Sequence, residues 1–183
     1  IPVRPFEELV KEHKIEIIGE EIDKAYLEQV LTVKVQDVQK DDLSIVFTPL
    51  HGTASVKLVD LLKEQGYHVT PVAEQMIPDG NFSTLKSPNP EDSRAFEYAI
   101  ELGKKIKADI LIATDPDADR LGVLAKDSKT GEYMSFTGNM SGLLIAEYIL
   151  DQKKAKKLMP KNGALITTIV SSNLAQAISK EYK

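Results

Sequence analysis

The sequence predicts an α/β fold in which a mostly parallel sheet is covered by helices. Three observations support this prediction. Continuous apolar runs lie at 44–48 and 109–114, a strand-like alternation lies between them at 67–73, and helix-like segments separate the three. Continuous apolar runs are typical of parallel strands that are buried on both faces. Strand and helix therefore alternate as a βαβαβ unit, which is the pattern of a Rossmann-like sheet.

The connecting helices are predicted from apolar spacing and from signals at their ends. Residues 20–35 place apolar side chains three and four positions apart, as on one face of a helix. A second helix at 54–65 stops before Gly66, the residue type favoured just beyond a helix C-terminus. A third helix begins near Glu91, after a long loop at 78–90 that contains several prolines and asparagines.

Further elements are predicted in the second half of the chain: an antiparallel hairpin at the sheet edge, a helix, a strand and a terminal helix. The hairpin strands are expected at 121–125 and 133–136, the helix at 140–150 and the strand at 164–170. We therefore expect one α/β domain at 1–137 and an incomplete second α/β domain at 138–183. The chain starts at Ile1 without a leader-like segment and stops within a predicted helix, so we expect it to be part of a longer protein.

Composition excludes several functional classes. The chain has no cysteine, which excludes disulfides and thiolate metal sites and fits a reducing, cytoplasmic location. Its net charge of -5 argues against a nucleic-acid partner, because binding to the phosphate backbone needs a clustered positive field. No apolar run approaches the roughly 20 residues that cross a bilayer, so we expect no membrane role.

Three aspartates alternate directly after the predicted strand at 109–114. They are Asp115, Asp117 and Asp119, and Arg120 follows them. Parallel sheets bind ligands at the carboxyl edge of their strands. Crowded carboxylates raise one another's pKa unless a cation lies between them, and all-oxygen ligands suit Mg²⁺ or Ca²⁺. Mg²⁺ keeps positions open for phosphate, and an arginine offers bidentate donors to the same group. The sequence therefore predicts a site for Mg²⁺ and a phosphoryl group.

Other interpretations of this acidic segment make different predictions. An EF-hand needs glycine at its sixth position and glutamate at its twelfth, where this chain has Arg120 and Lys126, so that class is excluded. A haloacid-dehalogenase-like phosphatase would use Asp115 as its nucleophile, although it expects threonine or valine in place of Asp119. A non-enzymatic α/β module that binds a metal or a nucleotide is the third alternative. The phosphatase and the binding module both stay open.

The turn at 51–53 also joins a predicted strand to a predicted helix. Backbone N–H groups at such a junction can attract an anion. We favour a structural interpretation, in which Gly52 permits the turn, Thr53 is the N-cap of the helix and His51 shapes the loop by hydrogen bonding.

Segment 114–122, TDPDADRLG, closely resembles the metal loop of the α-D-phosphohexomutases, the family that contains phosphoglucomutase and phosphomannomutase. Three other segments resemble this family in the same order. They are TPLHGT at 48–53, PDGNFSTLKSPNPE at 78–91 and GNMSGLLIAEYI at 138–149. Within this family, the segment TPLHGT most resembles the phosphoglucomutase-like branch. The resemblance identifies 1–137 with the second domain of these enzymes and 138–183 with the beginning of the third.

The resemblance implies a carbohydrate-metabolising isomerase, an intramolecular phosphotransferase that interconverts hexose 1- and 6-phosphates through a phosphorylated serine. It implies that Asp115, Asp117 and Asp119 hold Mg²⁺, with a phosphoserine oxygen, and that Arg120 clamps the phosphate of the substrate. The family's serine loop, sugar-selecting loop and final phosphate-binding loop have no match in these 183 residues. Ser55 lies in a predicted helix, so we do not expect it to be the nucleophile. The isolated chain is therefore expected to be inactive.

Overall fold

A computed structural model describes residues 3–36 and 42–182 of the chain. The chain divides into two compact units, Ile1–Gln36 and Asp37–Lys183. The first unit contains the helices α1, Phe6–Lys11, and α2, Glu20–Leu31. Helix α2 confirms the helix predicted at 20–35, although it ends earlier. The predicted domain boundary at 137/138 lies inside the second unit and stays a prediction.

Within residues 42–182 the chain forms a five-stranded sheet. Its strands are β1, Ser44–Thr48; β2, His68–Pro71; β3, Ile110–Thr114; β4, Leu121–Lys126; and β5, Tyr133–Phe136. The order across the sheet is β2-β1-β3-β4-β5. Strand β1 pairs in parallel with β2 and β3, whereas β4 pairs antiparallel with β3 and β5. The predicted α/β fold and the edge hairpin are both confirmed.

Four helices of the second unit are α3, Leu58–Glu64; α4, Glu97–Ile106; α5, Gly138–Ala155; and α6, Leu174–Glu181. The helix predicted at 54–65 divides into a short 3-10 helix, Thr53–Ser55, followed by α3. Gly66 follows α3 with a φ of 87° and donates its N–H to the carbonyl of Lys63. The predicted helix end is confirmed, because this left-handed conformation suits glycine.

The sheet is covered by helices on both faces. Val46 of β1 belongs to one hydrophobic cluster, and its neighbours Ile45 and Phe47 belong to another. Successive side chains of a strand point to opposite faces, so the two clusters lie on opposite sides of the sheet. Ala99 of α4 joins the first cluster and Val59 of α3 joins the second. The central strands are therefore buried from both sides, as their continuous apolar runs predict.

The strand predicted at 164–170 is wrong. This segment pairs with no strand among the residues that the structure describes. Ile166, Ile169 and Val170 are each at least 81% exposed. A strand needs a neighbour to take up its backbone hydrogen bonds, so a β-branched sequence alone does not form one. In the described parts of the chain, no helix is long and apolar enough to cross a membrane.

Candidate metal centre

The acidic loop, residues 115–120, lies at the carboxyl edge of the parallel part of the sheet. It connects β3 to β4, and Thr114 pairs with Leu121 in the antiparallel ladder, so the loop closes a hairpin. Strand β1 runs parallel to β3, and the loop that follows β1 therefore emerges at the same edge. The fold thus places two of the segments that were singled out in the sequence side by side.

The structure brings the three predicted aspartates together. One carboxylate oxygen from each of Asp115, Asp117 and Asp119 lies within 4.8 Å of the others. Asp115 is buried, with 2% of its surface exposed, whereas the other two face solvent. Between them, Ala118 adopts a φ of 61° and donates its N–H to the carbonyl of Asp115. Strained backbone of this kind clusters at functional sites.

The electrostatics of the cluster favour a bound cation. The charge of Asp117, and then that of Asp115, raises the pKa of Asp119, while Arg120 opposes the shift. A divalent ion among the three carboxylates would remove this repulsion. The donor set is oxygen only, which fits Mg²⁺. Directly before the loop, Thr114 Oγ1 is buried and has no hydrogen-bond partner among the described residues.

Arg120 binds Asp115 through two different groups. Its Nε donates to Asp115 Oδ2 at 2.9 Å, and its backbone N–H donates to Oδ1 at 2.9 Å. A buried carboxylate is costly without such donors. Each carboxylate oxygen has two lone pairs, so this pairing leaves Asp115 able to bind a metal as well. Sequence reasoning missed this positioning role of Arg120. Its only signal was an arginine at the end of a loop that starts with a buried aspartate.

The loop after β1, residues 49–53, contacts the acidic loop directly. Thr53 donates its backbone N–H to the carbonyl of Pro116 at 2.8 Å, and its Oγ1 donates to the same oxygen at 3.2 Å. Gly52 lies so close that a Cβ there would be 2.4 Å from the Cα of Pro116. The predicted N-cap role of Thr53 is wrong. Gly52 is the N-cap of the 3-10 helix and Lys57 is the N-cap of α3, while the Thr53 hydroxyl donates to the carbonyl of Pro116.

His51 is the loop-shaping hydrogen bonder that the sequence predicts. Its Nδ1 lies 2.7 Å from the carbonyl oxygen of Ile77, and its Nε2 lies 2.7 Å from Thr84 Oγ1. With 7% of its surface exposed, the ring has both nitrogens engaged. Ser55, which was not expected to be a nucleophile, lies in the 3-10 helix at the start of the next segment.

The long loop at 78–90 is stabilised by its own side chains, as turn and capping residues predict. Asp79 accepts hydrogen bonds from the backbone N–H groups of Ser83, at 2.8 Å, and Asn81, at 2.9 Å. Bonds from Ser83, and then the one from Asn81, lower the pKa of Asp79 to about 2. The helix predicted near Glu91 begins as a 3-10 turn, Ser93–Phe96, which Asp92 caps by accepting from the N–H of Arg94.

Comparisons with known proteins match most of this chain to one family. The family model for "Phosphoglucomutase/phosphomannomutase, alpha/beta/alpha domain II" matches residues 24–130. Phosphoglucomutases of Staphylococcus aureus strains MRSA252 and USA300 are 42% and 41% identical over 151 residues. Each alignment covers 80% of this chain and 26% of the relative. The chain therefore spans about a quarter of the length of the curated relatives that it matches.

Solved structures give the same result. A crystal structure of a phosphoglucomutase/phosphomannomutase family protein from Burkholderia thailandensis superposes with a TM-score of 0.54 and 26% identity. The superposition covers 69% of this chain and 26% of that protein. The family model for the second domain matches more than half of the residues of this chain, and the phosphoglucomutase of strain MRSA252 is 42% identical over 151 residues. The chain therefore belongs to the phosphoglucomutase/phosphomannomutase family.

Proposed function

We propose that this chain supplies the Mg²⁺-binding domain of an enzyme that interconverts hexose 1- and 6-phosphates. The observation that carries the proposal is the gathering of Asp115, Asp117 and Asp119 at the carboxyl edge of a sheet from this family. Bound there, Mg²⁺ supplies positive charge that neutralises a phosphoryl group during transfer. The phosphoryl donor is a phosphorylated serine that lies outside these 183 residues.

The residues of the site have separate roles in this proposal. Asp115 is the fixed ligand, because burial and two hydrogen bonds from Arg120 hold its carboxylate in place. Asp117 and Asp119 are exposed ligands that complete the set from the outer side of the loop. Arg120 uses its Nε and backbone N–H on Asp115, and we assign its terminal nitrogens to the phosphate of the substrate. Catalysis of this kind depends on positioning and charge.

The proposal also concerns the whole enzyme and its substrate. A hexose phosphate is the expected substrate, with the sugar selected by segments that this sequence does not contain. The serine loop is likewise absent from the sequence, so we expect the 183-residue chain to bind metal weakly and to catalyse nothing. We expect the enzyme to act in the cytoplasm, without a nucleic-acid or membrane partner.

Replacing Asp117 with asparagine in the full-length parent tests the proposal. The variant keeps the size of the side chain but removes one charged metal ligand. We expect turnover to fall by about 100-fold or more, as when a transition-state stabilising group is lost, with an unchanged circular dichroism spectrum. The control is Glu101→Gln, an equal charge change at an exposed position of α4. Near-normal turnover in Asp117→Asn would overturn the proposal.

Two further measurements distinguish the alternative functions. A phosphatase with Asp115 as nucleophile would trap beryllium fluoride on that carboxylate, although both of its oxygens already accept bonds from Arg120. A nucleotide-binding module would bind a nucleotide saturably even after all three aspartates are replaced by asparagine. Neither result is expected if the acidic loop holds the metal of a mutase.

A further inference from the structure

We propose that residues 49–53, the brace loop, position the acidic loop for metal binding, and that His51 is the positioning residue that fixes the conformation of the brace loop. The inference rests on the proposed metal role of the acidic loop and adds residues that are not metal ligands. It follows from three features: a close contact, a directed chain of buried and partly buried hydrogen bonds, and a strained backbone.

The close contact joins Gly52 and Thr53 to Pro116. Gly52 has a φ of -97°, which any residue can adopt, so backbone freedom does not explain why glycine is needed here. A Cβ at this position would instead lie 2.4 Å from Pro116 Cα and 2.5 Å from its carbonyl oxygen. That oxygen accepts two hydrogen bonds from Thr53. The position of Pro116, between two proposed metal ligands, therefore depends on the brace loop.

The directed chain of hydrogen bonds begins at the ring of His51. The carbonyl of Ile77 can only accept, so His51 Nδ1 must carry the proton of that 2.7 Å bond. In the neutral ring, Nε2 then accepts from the hydroxyl of Thr84, also at 2.7 Å. Thr84 Oγ1 in turn accepts from Gln75 Nε2 at 3.0 Å. The tautomer of His51 is thus set by its surroundings.

The other end of the chain returns to the brace loop. Thr48 Oγ1 donates to Gln75 Oε1 at 2.6 Å and accepts from the N–H of Leu50 at 3.1 Å. Gln75 and Thr48 have no exposed surface. The carbonyl of Gln75 also accepts from the N–H of His51 at 2.9 Å. With a neutral His51 ring, every bond in the chain runs in one direction, from the Leu50 N–H to the Ile77 carbonyl. Removing one member would leave its partners unsatisfied, which is costly.

The backbone of the brace loop is strained where this chain holds it. Leu50 and His51 have φ values of 47° and 67°, which lie in the left-handed region that residues other than glycine rarely adopt. Two such residues in succession persist only where surrounding contacts determine them. The chain of hydrogen bonds through His51, Thr84, Gln75 and Thr48 supplies those contacts. Loss of the His51 ring should therefore relax the brace loop and weaken the contacts that Gly52 and Thr53 make with Pro116.

Amide hydrogen exchange of the metal-free 183-residue chain tests the inference, because it reports the acidic loop without any reaction. The informative amides are Ala118 and Arg120, which bond to the carbonyl and carboxylate of Asp115. In Gly52→Ala we expect both to exchange about tenfold faster or more, with unchanged protection of the central strands. Gly80→Ala is the matched control, since a Cβ there meets nothing within 4 Å, and it should leave both rates unchanged.

A second variant and a spectroscopic readout test the role of His51. Asparagine tolerates left-handed φ values, so His51→Asn removes the bond with Thr84 without adding backbone strain. It should accelerate exchange of Ala118 and Arg120 as Gly52→Ala does. In the unsubstituted chain, ¹⁵N chemical shifts of the neutral His51 ring should show a proton on Nδ1. A proton on Nε2 would contradict the directed chain.

Mn²⁺ titrations of the same variants separate this inference from the proposed function. We expect Gly52→Ala and His51→Asn to weaken Mn²⁺ binding several-fold, and Asp117→Asn to weaken it more. If Asp117→Asn binds Mn²⁺ normally while Gly52→Ala speeds exchange, the metal function is wrong and the brace is supported. If Asp117→Asn loses Mn²⁺ while Gly52→Ala leaves both amides at the unsubstituted rate, the brace inference alone is overturned.

Discussion

Asp115 and its neighbour Arg120 show how single residues organise the site. Burial makes the Asp115 carboxylate costly unless donors reach it, and Arg120 supplies one donor from its backbone and one from its guanidinium group. Asp117 and Asp119 have no such burial and remain at the surface. The proposed metal site therefore combines one buried, hydrogen-bonded carboxylate with two exposed ones, and we expect a cation to reach it from the solvent side.

Asp79 provides a pH test at the scale of one residue. Because its pKa is lowered to about 2 by bonds to its ionised form, its contribution to stability is present above its ordinary pKa of 3.8. That contribution is lost as the pH falls from about 4 through 2. Asp79→Ala should therefore melt at a lower temperature than the unsubstituted chain at pH 7, and the difference should shrink towards pH 2. A difference that is equal at both pH values would contradict this account.

The elements around the site depend on close packing as well as on hydrogen bonds. Gly122 in β4 lies against the loop that precedes α4, and a Cβ there would be 2.3 Å from the carbonyl oxygen of Pro90. It would also lie 3.0 Å from the ring of Phe96, which is fully buried. Neither the backbone oxygen nor the packed ring can move freely. Strand β4 can therefore pack this closely against Pro90 only because residue 122 is glycine.

Gly122→Ala tests that match. We expect a loss of about 1–3 kcal/mol in the free energy of unfolding, the usual cost of overpacking a close contact. Gly142→Ala in α5 is the control, because a Cβ there meets nothing within 4 Å and alanine favours a helix by up to about 1 kcal/mol. Urea unfolding of the chain measures both. Equal stability of the two variants would show that the contact with Pro90 is unimportant.

At this scale the sequence predicted most elements because their signals are local. The strands at 44–48 and 109–114 were recognised from continuous apolar runs, α2 from its apolar spacing, and the end of α3 from Gly66. The segment at 164–170 has the same β-branched character but no neighbouring strand among the described residues. Strand formation depends on a partner strand, often distant in sequence, which a local pattern does not specify.

The same distinction explains what was predictable in the site. The three aspartates belong to one short loop, so their gathering followed from the strand that precedes them. Within the brace loop, 51–53 was interpreted as a turn that His51 shapes by hydrogen bonding. Its contact with the acidic loop was missed because the partners are remote: Thr84 is 33 residues from His51, and Pro116 is 63 residues from Thr53. Contacts over such separations are set by the order of strands in the sheet and leave no periodic signal in the sequence.

For the molecule as a whole, the account joins a family assignment to a specific place in the fold. The family model matches 24–130, and the acidic loop within that range closes the β3–β4 hairpin at the edge that ligands use. The brace loop follows β1 at the same edge. We propose that this edge holds a divalent metal for phosphoryl transfer.

Paramagnetic line broadening by Mn²⁺ tests that claim most directly. Mn²⁺ takes the oxygen ligands that Mg²⁺ uses, and it broadens amide signals of the chain only near its binding site. We predict that substoichiometric Mn²⁺ broadens residues 115–120 most strongly, while signals of the turn at 128–131, beyond the far end of β4, stay sharp. Excess Mg²⁺ should restore the broadened signals, and Asp117→Asn should abolish the effect. Uniform broadening, or broadening centred on another acidic segment, would contradict the account.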